Sequence, residues 1–315
     1  MTAAVSASAP GKIILTGEHF VVHGSYAVAA GINRRVRVTV KPSKNGFSSI
    51  ASGKDSSKVA SEDGKFRAAK TIIRKLVQDY EQNSNPIEVQ IDSDIPAGSG
   101  LGSSAAVSVA CTAAITKYFG NIVSSKDLFA LAMFGEKQVH GNPSGIDIEA
   151  SISGGIILFN KSTGAKTIKT QNRVSLGVIY SGEKRSTSLL VAKVARQRDA
   201  HPNFFRNLTK SASYQSLELT DALNRGDVER IGTLFNIAQT ELEWIGVSTP
   251  SIQKIIERVS GEGTYGAKIT GAGGGGSIIV AAKPQILSSL INSLIANYPH
   301  SFVTQLNQEG LRWEP

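Results

Sequence analysis

Residues 95–104 read Ile-Pro-Ala-Gly-Ser-Gly-Leu-Gly-Ser-Ser, and this run restricts the fold more than any other stretch of the chain. Ahead of it, residues 86–91 alternate apolar and polar side chains and predict a strand. Behind it, residues 104–118 are rich in Ala, Val and Ile and predict a helix. Gly98, Gly100 and Gly102 open backbone conformations closed to other residues and let amides approach a ligand with no Cβ between. The helix start adds unpaired N–H groups and the positive end of its dipole. Strand, glycine turn and helix in that order make an anion site suited to the phosphates of a nucleotide. The alternative is a turn that serves chain geometry alone. A P-loop would need a lysine before Ser103, and none is there. The spacing of Gly100, Gly102 and Ala105 fits the dinucleotide fingerprint, but the chain then starts a second helix where that motif needs a strand ending in an acid.

Strand-rich and helix-rich stretches mix along the 315 residues, so the predicted class is α+β. Residues 5–9 and 12–15 predict short strands split by Pro10-Gly11, and residues 33–40 a half-exposed strand. Residues 42–64 predict a surface loop or hairpin, and residues 65–81 a helix. Ser124-Ser-Lys-Asp127 predicts a capped helix start. Residues 154–158 and 174–180 predict strands, and residues 186–257 are mostly helical. A second glycine loop stands between predicted strands at 265–269 and 277–281, followed by a helix at 287–296 and a strand at 301–304. The predicted division is an N-terminal unit, residues 1–175, and a C-terminal unit, residues 176–315.

Composition excludes some classes. No stretch approaches the ~18 uninterrupted apolar residues of a membrane span, and residues 1–10 lack the pattern of a secretory signal. Cys111 is the single cysteine, so neither an internal disulfide nor a cysteine metal cage is expected, and a cytoplasmic location fits. The net charge of +9 is concentrated in residues 34–75, where a positive field would draw an anionic ligand or simply coat a solvated face. Only Phe47 and Phe66 interrupt that stretch, too few for a base-stacking platform, so nucleic acid is not an expected partner.

The glycine loop, carried here by residues 96–104, resembles the central motif of the GHMP kinases. The N-terminal run Ala9-Pro-Gly-Lys-Ile-Ile-Leu-Thr-Gly-Glu-His19 and the later run Lys268-Ile-Thr-Gly-Ala-Gly-Gly-Gly-Gly276 resemble that family's other two motifs, in the same order. Within the family, Gly17-Glu-His-Phe-Val-Val-His-Gly24 and His140-Gly-Asn-Pro-Ser-Gly-Ile-Asp147 are similar to the mevalonate kinase branch. The resemblance implies an N-terminal domain like that of ribosomal protein S5 and a ferredoxin-like C-terminal domain. It implies ATP as donor, mevalonate as acceptor in isoprenoid biosynthesis, and Mg²⁺ as cofactor; a homodimer is compatible with it.

The resemblance also distributes roles. Pro96, Ala97, Gly98, Ser99, Gly100, Leu101, Gly102, Ser103 and Ser104 would bind ATP, with Ser103 alternatively a helix cap. Ser104 and Glu136 would supply oxygens to Mg²⁺, which needs few protein ligands; Glu136 has the alternative of pairing with His140 at i+4. Asp147 would accept the proton of the attacking hydroxyl or orient it, its alternative being a cap on residues 148–152. Lys12, beside apolar Ile13 and Ile14, must reach out to solvent or pair with an acid, and is predicted to pair with Asp147. Glu18 and His19 would face the acceptor hydroxyls, although His19 also suits a core position, and His23 reads as structural. Arg185 is the candidate for the acceptor carboxylate or else a solvated side chain. Gly273, in a loop with more glycines than a bend requires, would lie close to the ligand or to the first loop.

Overall fold

Two long strands form the spine of the protein. β1 (Val5–Thr16) and β2 (Ala27–Pro42) run antiparallel, with Val5 opposite Val40, Ala9 opposite Val36 and Ile13 opposite Ala30. Along β2, Val36, Val38 and Val40 are fully buried while Arg37 points to solvent, the period-2 pattern of a sheet covered on one face. The sequence predicts a break at Pro10-Gly11; instead the pair sits inside β1, at a register shift between Pro10 and Lys12. A bulge is where a strand tolerates a residue with no N–H to give to the ladder. Gly11 is required there because a Cβ would stand 2.7 Å from the carbonyl oxygen of Leu101.

The computed structural model describes residues 4–80, 86–141, 143–183 and 187–315. β3 (Ser49–Ser52) and β4 (Asp55–Lys58) form a hairpin inside the polar segment 42–64, and β3 pairs parallel to β5 (Ile87–Ser93). β6 (Ile156–Asn160) pairs with β2 and with β7 (Gly164–Ile168), and β12 (Arg312–Glu314) with the outer edge of β1. These make one eight-stranded sheet along the path β12-β1-β2-β5-β3-β4, with β6 and β7 branching from β2. Helix α2 (Ser103–Tyr118) lies on β1 and β2, packed among α1 (Arg67–Tyr80), α3 (Ser125–His140) and α4 (Ile146–Ser153). Its small residues, Ala105, Ala106, Ala110, Ala113 and Ala114, are buried on all sides, which lets the neighbours close in and holds the helix start rigidly.

A second, four-stranded antiparallel sheet has the order β11-β8-β10-β9, from β8 (Ser175–Tyr180), β9 (Gly266–Thr270), β10 (Ser277–Ala281) and β11 (Phe302–Gln305). Helices α5 (Thr187–Ala200), α6 (Pro202–Arg225), α7 (Val228–Trp244), α8 (Pro250–Ser260) and α9 (Pro284–Leu294) complete this part. The mixture of sheets and helices is the α+β class expected. The main apolar core is shared: it runs from Ala7 and Val38 through Leu176 and Val178 to Phe235. β8 begins at Ser175, the last residue of the predicted N-terminal unit, and β12 crosses back to the first sheet.

Candidate functional site

β5 feeds the first glycine loop, and α2 begins at Ser103. Gly98, Gly100 and Gly102 have φ of 75°, 80° and 77°, the left-handed region that favours glycine. Gly102 is itself the helix cap, so no side chain caps α2, and its first turn holds no acid. The helix end therefore keeps its positive potential for a ligand. Ser99 and Leu101 are buried, and Ser99 Oγ donates to Pro96 O at 2.7 Å. Those two anchor the loop, while Ala97 and Gly98 are exposed and Pro96, Gly100, Gly102, Ser103 and Ser104 half-buried.

The loop is pressed against β1. Lys12 N donates to Leu101 O at 2.8 Å, and a Cβ on Gly102 would stand 2.8 Å from Lys12 Cγ. Lys12 is only 2% exposed, and its ammonium lies 3.1 Å from Asp147 Oδ1 and 3.4 Å from Gly100 O. The predicted pairing of Lys12 with Asp147 is present. Asp147 sits inside the first turn of α4, behind Gly145, so it does not cap that helix. Its side chain is 42% exposed, which leaves a carboxylate edge open beside the loop.

Behind the helix start, Ser104 Oγ donates to Glu136 Oε1 at 2.5 Å. Ser108, one turn further along α2, donates to the same oxygen at 2.9 Å. Glu136 is buried, 5% exposed, so the exposed helical acid of the alternative is not what the fold contains; the pairing with His140 falls on a side chain outside the described residues. Octahedral Mg²⁺ with bonds of 2.0–2.1 Å spaces adjacent oxygens about 2.9 Å apart. The Ser104–Glu136 pair fits such an ion with a small opening. Among the described residues no group of three or more His, Cys, Asp or Glu forms an all-protein metal cage. Ser108 was legible only as the i+4 neighbour of Ser104 on one helix face.

Glu18 and His19 stand at the end of β1, before a 3-10 turn at Phe20–His23. His19 has φ 61°, rare for a residue with a side chain, and its Nε2 bonds to Ala272 O at 2.9 Å. Glu18, expected at the acceptor, is 2% exposed, and its carboxylate is paired with the ammonium of Lys268 on β9. Burial raises the Glu18 carboxyl and lowers the Lys268 ammonium from their ordinary values; each partner's charge opposes that shift. His23 lies edge-on to the Phe205 ring, and burial lowers its pKa, in keeping with a structural place.

In the second loop Gly273, Gly274 and Gly275 face protein: a Cβ on them would meet Val247 O at 2.5 Å, Leu190 Cδ1 at 2.6 Å and Glu183 Cβ at 2.8 Å. Just beyond it, Ser277 Oγ donates to Ser99 O at 2.9 Å, joining the two loops. Arg185 lies outside the described residues. The assembled geometry is an uncapped helix end, a metal-sized oxygen pair and a lysine–carboxylate pair beside the same glycine loop. It suits transfer of a phosphoryl group, which needs alignment and charge neutralisation more than covalent help.

The family profile described as GHMP kinases N terminal domain matches residues 66–155, and that described as GHMP kinases C terminal matches residues 219–300. A mevalonate kinase of Aeropyrum pernix is 33% identical, over 100% of this chain and 99% of the relative. One of Archaeoglobus fulgidus is 37% identical, over 98% of this chain and 99% of its own. The crystal structure of L. major mevalonate kinase in complex with R-mevalonate superposes with a TM-score of 0.82 at 26% identity, covering 96% of both chains.

Proposed function

The chain belongs to the GHMP kinases, in the mevalonate kinase family, and on that premise we propose that it transfers the terminal phosphoryl group of ATP to the 5-hydroxyl of (R)-mevalonate, giving ADP and 5-phosphomevalonate. The observation that carries the chemistry is the Lys12–Asp147 pair at 3.1 Å beside Gly100, with the Asp147 side chain 42% exposed.

Amides of residues 96–104 and the α2 end hold the triphosphate. Asp147 accepts a hydrogen bond from the acceptor hydroxyl and aims its oxygen at the terminal phosphorus. An alcohol is far less acidic than an Asp carboxyl, so its proton moves to Asp147 only as the bond to phosphorus forms. Lys12, desolvated, balances the charge that gathers on the transferring oxygens. Ser104 and Glu136 would hold Mg²⁺, which supplies further neutralisation of the phosphates. His19 and Arg185 are our assignments for an acceptor hydroxyl and the acceptor carboxylate, with Glu18 and Gly273 shaping that end of the cleft from behind. Residues 1–175 and 176–315 act as the two lobes. A cytoplasmic location and a homodimer belong to the same proposal; no helix among the described residues is long and apolar enough to cross a membrane.

An acceptor panel in a coupled ADP-release assay tests this reading. Mevalonate is expected to exceed galactose, homoserine and phosphomevalonate by about 10²-fold or more in kcat/KM, since a site built around a given set of hydroxyls strands its polar groups when they are missing. Turnover centred on another acceptor would overturn the substrate assignment and leave the kinase family intact.

A further inference from the structure

Lys268 has no solvent exposure, yet it stands in the middle of a strand that is buried throughout. A buried ion pair contributes little net stability, because desolvation of both ions offsets their attraction. The surroundings give it another use. Lys268 and Thr270 are two apart on β9 and so project to one face, toward β1. Thr270 Oγ1 accepts from Ile14 N at 2.7 Å and donates to Ile14 O at 3.1 Å. The Lys268 ammonium approaches Ile14 O at 3.5 Å, donates to Ile269 O at 2.5 Å and holds the Glu18 carboxylate. Ile14 stands opposite Ala29 just before β1 slips register against β2, and β12 covers the outer edge of β1 only at Ser6 to Ser8, so peptide groups on that edge at Ile14 need partners from outside the sheet. Two residues further along the same run, Ala272 O receives the His19 ring. Three residues of this run, Lys268, Thr270 and Ala272, thus pin the end of β1 from Ile14, two residues after Lys12, and the turn at Glu18 and His19 that follows.

We propose that Lys268 is a positioning residue for phosphoryl transfer: with Thr270 it locks the bulged corner of β1, and through Glu18 the following turn, so that Lys12 meets Asp147 and His19 meets the acceptor. This rests on the kinase reading above. Lys268 touches none of the reacting groups; it acts through the backbone of β1. The charged groups that face Glu18 are Lys268 from β9, Lys12 from β1 and Glu241 from α7, with His19 next to it in the chain. Once Lys268 is gone, Glu18 is a buried carboxylate with one distant cation, and it takes up a proton more readily.

The test is steady-state kinetics of Lys268→Met, Thr270→Val and the pair Glu18→Gln with Lys268→Met, run beside the unsubstituted enzyme from about pH 8 to about pH 6. Lys268→Met is expected to lose about 10²-fold or more in kcat, the scale of an ångström of misplacement, with KM for ATP little changed. It should regain activity toward low pH as Glu18 becomes neutral, a rise the unsubstituted enzyme does not show. The double variant should lose that pH dependence and remain about tenfold slow at every pH. Thr270→Val keeps the shape of the strand and should slow kcat about tenfold, so it decides the matter if Lys268→Met does not fold. Variants that lose thermal stability but turn over at the unsubstituted rate once folded would overturn the proposal. An unsubstituted enzyme inert toward mevalonate would instead fail the substrate assignment, and the same series would then be read with the acceptor it does phosphorylate.

Discussion

The two glycine loops look alike in sequence and differ in what makes their glycines necessary. In the first, Gly98 has nothing nearer to a Cβ than the Tyr180 hydroxyl at 3.9 Å, so the space beside it is open. In the second, Gly273 to Gly275 are filled against Val247, Leu190 and Glu183. Gly98 keeps room for something from outside, although Gly102 in the same loop is closed off by Lys12 Cγ at 2.8 Å; Gly273 to Gly275 in the second let three pieces of the same chain come together. A glycine-rich run is thus no evidence of a ligand until its neighbours are known. It also follows that damage to the first region should appear in turnover, and damage to the second in stability.

The largest expected effect is at the open side. Asp147→Asn should lower kcat about 10³-fold while the ATP dissociation constant, measured by calorimetry, stays the same. A comparable drop in melting temperature would break the contrast, because it would make Asp147 a structural residue. Next is Gly273→Ala, where a methyl 2.5 Å from Val247 O at φ 74° should cost roughly 2–4 kcal/mol in urea unfolding, the sum of overpacking and left-handed strain. Its counterpart Gly98→Ala meets no clash and should cost about 1–2 kcal/mol from backbone strain alone, while KM for ATP rises about tenfold through a lost phosphate contact. Equal stability losses at the two positions would end the distinction. Glu136→Ala should raise the Mg²⁺ concentration for half-maximal rate about tenfold without altering acceptor KM; an unchanged titration would take Glu136 out of the metal's surroundings.

The smallest effect sharpens the second region. Glu241 is buried on α7 and accepts from Gln215 Nε2 at 2.8 Å, while Gln215 Oε1 has no partner among the described residues. Burial, then the Glu18 charge, raise its carboxyl above the ordinary 4.5, and its hydrogen bonds from Ser211 and Gln215 only partly oppose this. The folded state therefore holds that proton more tightly than the unfolded chain does. The associated stability is full below the unfolded value and is lost as pH rises through the raised one. Glu241→Gln is neutral throughout and can donate to Gln215 Oε1. It should be about 1 kcal/mol more stable than the original at about pH 8, with the gap closing in acid, as read by denaturation at several pH values.

Much of this was legible in the sequence because it is local. Strand, glycine turn and helix around residue 100, the capped start of α3 at Ser124 and the alternation along β2 depend on neighbours a few residues apart. The pairing of Lys12 with Asp147 was legible because a lysine among apolar strand residues must either reach solvent or pair with an acid, and the Pro-Gly-Lys motif favoured the acid. The rest depended on distant partners. Pro10-Gly11 reads as a break until Leu101 is seen against it. The short strands β7 and β12, with three to five residues each, carry too little pattern to stand out. Lys268 reads as an ordinary strand lysine until Glu18, 250 positions away, is placed beside it. Residues of the second loop could be counted but not assigned, since their partners Val247, between α7 and α8, and Leu190, on α5, lie in stretches that carry no recognisable motif.

The pairing of β12 with β1 has a bearing on synthesis. Ser6, Ala7 and Ser8 complete their outer edge only with Glu314, Trp313 and Arg312, and Glu314 then receives Ser8 and Arg37. On the ribosome that edge stays bare while some three hundred further residues are added, and a bare edge invites pairing with other chains. Arg37, exposed on the neighbouring strand, sets a charge beside that bare edge, a feature that discourages such pairing.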